Sequence, residues 1–132
     1  MTDPIFRLVC VPAALEQAPD GWAAELLRDA EIALLVDASG HAGIDAVAHA
    51  LGRPTVPVVR TEATPTEQDE TVIEYAGALP LVWLGTAFSP RVRGWAHDRG
   101  PMTLLVEVEG ALPEEERRRV ERFVALLGRQ AE

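Results

Sequence analysis

Residues Ile32–Val59 read IALLVDASGHAGIDAVAHALGRPTVPVV, and this stretch decides the fold class. Ile32 to Val36 is a short, continuous apolar run, the pattern of a parallel strand covered on both faces. Ile44, Val47, Ala48 and Leu51 then fall at i, i+3, i+4 and i+7, one face of a helix. Gly52 can stop that helix and Pro54 prevents its continuation. Thr55 to Val59 is a second apolar run. Strand, helix and strand in so few residues predict a βαβ unit.

The same alternation extends in both directions. Phe6 to Val11, Leu81 to Leu84 and Thr103 to Val108 are further strand runs, giving five in all. Strand five alternates at its end, with Glu107 and Glu109 around Val108, which marks it as an edge. Trp22, Ala23, Leu26 and Leu27 give a first helix after Asp20-Gly21. Thr66 and Asp69 suggest a cap for a third helix carrying Val72, Ile73, Ala76 and Leu79. Ser89-Pro90 reads as an N-cap followed by proline at the first helical position, before Val92, Trp95 and Ala96. A last helix starts at Pro113. Its first turn holds Glu114, Glu115 and Glu116, where the helix dipole favours acids. Its apolar stripe is Val120, Phe123, Val124 and Leu127. Glu114 with Arg118 and Glu115 with Arg119 are i, i+4 pairs in the favourable order. The expectation is one α/β domain over residues 1–132. It is three-layered, flavodoxin-like or Rossmann-like, with a mostly parallel five-stranded sheet. Strand order 2-1-3-4-5 is favoured, with 3-2-1-4-5 as its competitor.

Composition bounds the chemistry. The chain has 132 residues, 48% apolar and 25% charged, so it is long enough to fold without disulfides or metals. All 12 basic residues are arginines, and without lysine there is no Schiff-base enzyme, P-loop or kinase site. A net charge of −9 repels phosphate backbones, so no nucleic-acid partner is expected. Cys10 is the single cysteine, which excludes an intramolecular disulfide and cysteine zinc clusters. Within strand one it reads as a packing residue. No signal peptide or membrane span is predicted, and a cytoplasmic location is expected. No metal or cofactor is expected: no two histidines show zinc-ligand spacing, His49 falls off the apolar stripe, and His97 sits where a helix ends.

Ligands in such sheets bind outside the carboxyl ends of the strands. The loop Asp37-Ala38-Ser39-Gly40-His41-Ala42-Gly43 is the richest there, offering an acid, a hydroxyl, an imidazole and backbone N–H groups at a helix start. The expected ligand-binding residues are Ser39, Gly40, His41 and Thr86. Asp45 is the expected nucleophile or acid, and Asp37 the residue that positions a hydroxyl-bearing substrate. A plain helix-capping turn would carry the same residue types. A Ser39-His41-Asp37 triad is discounted, because three groups within five residues rarely reach triad geometry. Arg60, Arg91 and Arg93 near the same edge would suit a phosphate or carboxylate.

The ending Ala48-His49-Ala50-Leu51-Gly52-Arg53-Pro54, with the strand and glycine-containing loop before it, resembles the central unit of nucleoside 2-deoxyribosyltransferases. The resemblance implies binding of a nucleotide or small molecule and transfer or hydrolysis of an N-glycosidic bond. In that family the catalytic glutamate stands early in the helix; the matching register here holds Ile44, with Asp45 one place later. A second, thinner resemblance runs through Asp20-Gly21, the Asp37–Gly43 loop, Thr64-Pro65 and Leu84-Gly85. It is similar to the landmarks of hydrogenase maturation endopeptidases. It departs from them at Ala13-Ala14 and at Thr66, where a metal-binding histidine would stand. Thr86-Ala87 also fits a response-regulator receiver, but the acidic pair after strand one and the lysine after strand five are missing. The rival functional class is a non-catalytic interaction domain. Trp95 and Phe88 make a protein partner, or a two-fold dimer through helix four and the loop before it, the expected association, while Trp83 is expected in the core.

Overall fold

The computed structural model describes residues 4–15, 19, 21–26, 28, 30–36, 40–53 and 56–131. Four strands, β1 (Phe6–Cys10), β2 (Ala30–Leu34), β3 (Leu81–Gly85) and β4 (Thr103–Glu107), form one sheet of order β2-β1-β3-β4. All three pairings are parallel, with Phe6 opposite Ala30, Arg7 opposite Leu81 and Leu81 opposite Thr103. The helices are α1 (Trp22–Leu26), α2 (Gly40–Ala50), α3 (Pro65–Ala76), α4 (Pro90–Arg99) and α5 (Glu114–Ala131). Short 3-10 helices follow β1 (Pro12–Leu15) and α4 (Gly100–Met102).

Alternation along the strands sends side chains to two apolar cores. Phe6, Leu8, Ile32, Leu34, Val82 and Leu84 pack with Ala23, Val47, Leu51, Val120 and Leu127, from α1, α2 and α5 and their ends. Val9, Ala33, Leu81 and Trp83 pack with Val72 and Ala76 of α3 and Val92 of α4 on the other face. The sheet is therefore covered on both sides, as its continuous apolar runs require.

Among the described residues the sheet has four strands rather than the expected five, and the favoured order 2-1-3-4-5 is corrected. Of the expected strand three, Thr55 to Val59, the described residues 56–59 meet β2 in a single parallel bridge between Leu34 and Val58. Leu34 N–H donates to Pro57 O at 2.9 Å and Val59 N–H to Leu34 O at 2.8 Å, and among the described residues the ladder goes no further. Pro57 has no N–H, so this run cannot sit between two strands and is held to the sheet margin. Strand four of the sequence reading is β3, and it takes the place beside β1. The resulting order is that of the competitor, 3-2-1-4-5, with its first member reduced to a bridge. Strand two also starts earlier than expected, at Ala30, and Val36 lies beyond it, exposed.

Helix termini follow local chemistry. Ser89 Oγ accepts from Val92 N–H at 3.2 Å with Pro90 at the first helical position. The same device starts α3, but the cap is Thr64, not Thr66. Thr64 Oγ1 accepts from Glu67 N–H at 3.2 Å, with Pro65 next in the chain. Of the two ion pairs expected on α5, Arg118 meets Glu114 at 2.8 Å, whereas Arg119 turns to Glu116 at 3.5 Å. At the amino-terminal edge of the sheet, α3 ends without a basic residue of its own in its last turn. Arg7 of β1 supplies the charge by donating from Nη1 to Tyr75 O and Ala76 O. Gly77 follows with φ of 54°, a left-handed conformation that glycine adopts without strain. Arg99 of α4 donates to Gly77 O and Leu79 O, and its guanidinium lies 4.7 Å from the Trp95 ring centre. Burial lowers the pKa of Arg99 from its ordinary value. Among the described residues no helix is long and apolar enough to cross a membrane.

Candidate functional site

The order in which the chain adds strands to this parallel sheet reverses between β1 and β3: β2 lies on one side of β1, and β4 on the far side of β3. Loops leaving such a point diverge and open a crevice at the carboxyl ends of the strands. A cavity of about 200 Å3 lies there. Val11, Leu35 and Val108, just past the ends of β1, β2 and β4, line it with Trp83 and Leu84 of β3. Its rim is Gly85 at the end of β3, Thr86 and Ala87 after it, Gly110 after β4, and Pro65, Gln68 and Asp69 of α3.

The rim is built from hydrogen bonds between neighbouring loops. Gln68 Nε2 donates to Arg60 O and its Oε1 accepts from Glu62 N–H, both at 3.0 Å, which ties the loop before α3 to that helix. Glu62 accepts from Arg60 and from Thr71 Oγ1, the latter at 2.8 Å, and these bonds hold its carboxyl pKa below the ordinary value. Ser89 Oγ donates to Asp69 Oδ2 at 3.1 Å, joining the first turns of α3 and α4. Gly85 permits a close approach: a Cβ there would lie 3.2 Å from the Phe88 ring, which would have to give by a few tenths of an ångström. Phe88 folds back instead and meets Trp83 edge-on, 5.3 Å between ring centres at 79°.

Of the residues expected to form the site, Thr86 lines the crevice. Gly40, His41 and Asp45 lie on α2, which contributes no lining residue, and the side chains of His41 and Asp45 are exposed. Asp37 and Ser39 lie outside the described residues, as does Asp20 of the endopeptidase-like landmarks. The expected arginines are engaged elsewhere: Arg60 pairs with Glu62, Arg91 with Glu70 and Arg93 with Glu107. Phe88, expected on an interface, is buried in the second core, while Trp95 is half-buried beneath Arg99. Asp69, Gln68 and Ser89 emerge only in the structure. Their signal was position: α3 begins directly after a carboxyl-edge loop and its first turn lines the crevice, while Ser89 at the start of α4 reaches it only through Asp69.

The β1 loop restricts what the crevice can take. Pro12 and Ala14 of its 3-10 helix are buried, and Leu112 N–H donates to Ala14 O at 3.1 Å. Among the described residues after β1, no glycine-rich turn brings a pyrophosphate to a helix start. Among the described residues no group of three or more His, Cys, Asp or Glu side chains comes together as a metal site would. Searches of protein-family models, curated proteins and solved structures found no match to the chain.

Proposed function

We propose that this α/β domain binds a small ligand of nucleoside size in the crevice at the carboxyl ends of β1 and β3. The observation that carries the reading is the cavity's position at the reversal point of a parallel sheet, with an apolar floor and a few polar groups on its rim. Its volume of about 200 Å3 is below the range of roughly 300–1,000 Å3 that encloses drug-sized ligands, so a dinucleotide is too large to be buried there. Transfer or hydrolysis of an N-glycosidic bond is the narrower form of the proposal. It rests on the resemblance, which assigns the carboxylate roles to Asp37 and Asp45; Asp45 lies on α2, apart from the cavity lining.

A thermal-shift screen with nucleosides, nucleotides and NAD tests the reading. A nucleoside at ten times its Kd is expected to raise the melting temperature by about 5 °C. The shift should shrink in a Thr86→Trp variant that fills the mouth of the crevice. No stabilisation by any compound at millimolar concentration would refute it. Unchanged turnover in Asp45→Ala would remove that residue from any glycosidic chemistry found. The second reading, self-association through α4, retains Trp95 as its one half-buried aromatic, and light scattering decides it.

A further inference from the structure

We propose that the crevice selects an uncharged, hydroxyl-bearing ligand over its phosphorylated form, and that Asp69 draws the distinction. The inference rests on the ligand-binding reading above and adds its specificity. Among the described residues, Asp69 is the one charged side chain that lines the cavity. Its Oδ2 accepts from Ser89 Oγ at 3.1 Å, and Ser89 Oγ accepts from Val92 N–H at 3.2 Å. The carboxylate is thus fixed at the head of α4. A helix start of this kind would otherwise attract an anion, but here the chain supplies its own.

The remaining polar groups point the same way. Gln68 spends its amide on the 60–62 backbone, and Thr86 stands exposed at the mouth. The three nearby arginines are held by Glu62, Glu70 and Glu107 and do not line the cavity. A carboxylate only accepts hydrogen bonds, so a ligand that reaches it must donate, as a ribosyl hydroxyl does. A phosphate in the same cavity would meet a like charge above an apolar floor of Val11, Leu35 and Trp83, where screening is reduced. The net charge of −9 adds repulsion at longer range.

Calorimetric titration of the full chain with adenosine and with adenosine 5′-monophosphate tests this. The nucleoside is expected to bind about tenfold or more tightly than the monophosphate. Asp69→Asn keeps an acceptor for Ser89 and should bring the two affinities to within about threefold, chiefly by improving the monophosphate. Thr86→Arg, at an exposed position that costs no packing, should do the same, which guards against an Asp69 variant that fails to fold. Equal or tighter binding of the monophosphate to the wild type, or an unchanged ratio in both variants, would overturn the inference while the ligand-binding reading stands. Binding of neither compound would overturn both.

Discussion

Trp83→Ala is expected to lower the free energy of unfolding by about 3–5 kcal/mol, the usual cost of deleting a buried aromatic side chain. Trp83 is 4% exposed in β3, a central strand, and packs with Val72, Val92 and Phe88. Its loss opens a cavity between the sheet and α3 and α4, and it removes the edge-on contact with Phe88, an arrangement worth about 0.5–1.5 kcal/mol beyond burial. A domain of this size is stable by roughly 5–15 kcal/mol, so much of the margin would go. Urea unfolding followed by circular dichroism reads the change. A loss under about 1 kcal/mol would show that the second core does not depend on this ring.

Arg7→Ala is expected to cost about 2–3 kcal/mol, more than an ordinary surface arginine, because Arg7 holds three elements together. From β1 it reaches the last carbonyls of α3, lies 4.9 Å from the Tyr75 ring centre, and stands 3.4 Å from Glu31 of β2. Removing it leaves partly buried carbonyls at a helix end without their donor. Arg7→Lys should recover only part of the loss, since a single ammonium cannot span both carbonyls and the carboxylate. A loss no larger than about 0.5 kcal/mol would reduce the cluster to surface decoration. The same cluster sets an alkaline limit. Tyr75 donates to Glu31 Oε1 at 2.6 Å, and burial first, then that carboxylate, raises its pKa above the ordinary 10.0. The raised value favours the protonated folded state. Its contribution is complete below pH 10 and declines as pH rises from there toward the folded-state value. Tyr75→Phe should flatten that alkaline decline in a pH series of unfolding curves.

How much of this could be read from the sequence differs between fold and site. Ile44, Val47, Ala48 and Leu51 announced α2, Ser89-Pro90 announced α4, and the mixed end of strand five announced the β4 edge, because each signal is local. Pro57 carried the decisive topological information. In order 2-1-3-4-5 the Thr55–Val59 run would be central, where a residue without an N–H is not tolerated, so the proline argued for the margin and against that order. Thr64-Pro65 repeats the Ser89-Pro90 device, and it prevails over the Thr66 and Asp69 pattern two residues later. Asp69 illustrates why the site was harder. It became a rim residue through Ser89, twenty positions away in sequence, and such a pairing follows from strand order rather than from any local pattern.

Mapping amide shifts by two-dimensional NMR while titrating adenosine tests the central claim most directly. The expected perturbations cluster at Val11, Leu35, Gln68, Asp69, Gly85, Thr86, Val108 and Gly110, residues from five separated segments that meet only at the crevice. Perturbations confined to α2 around His41 and Asp45, or none at millimolar ligand, would contradict it.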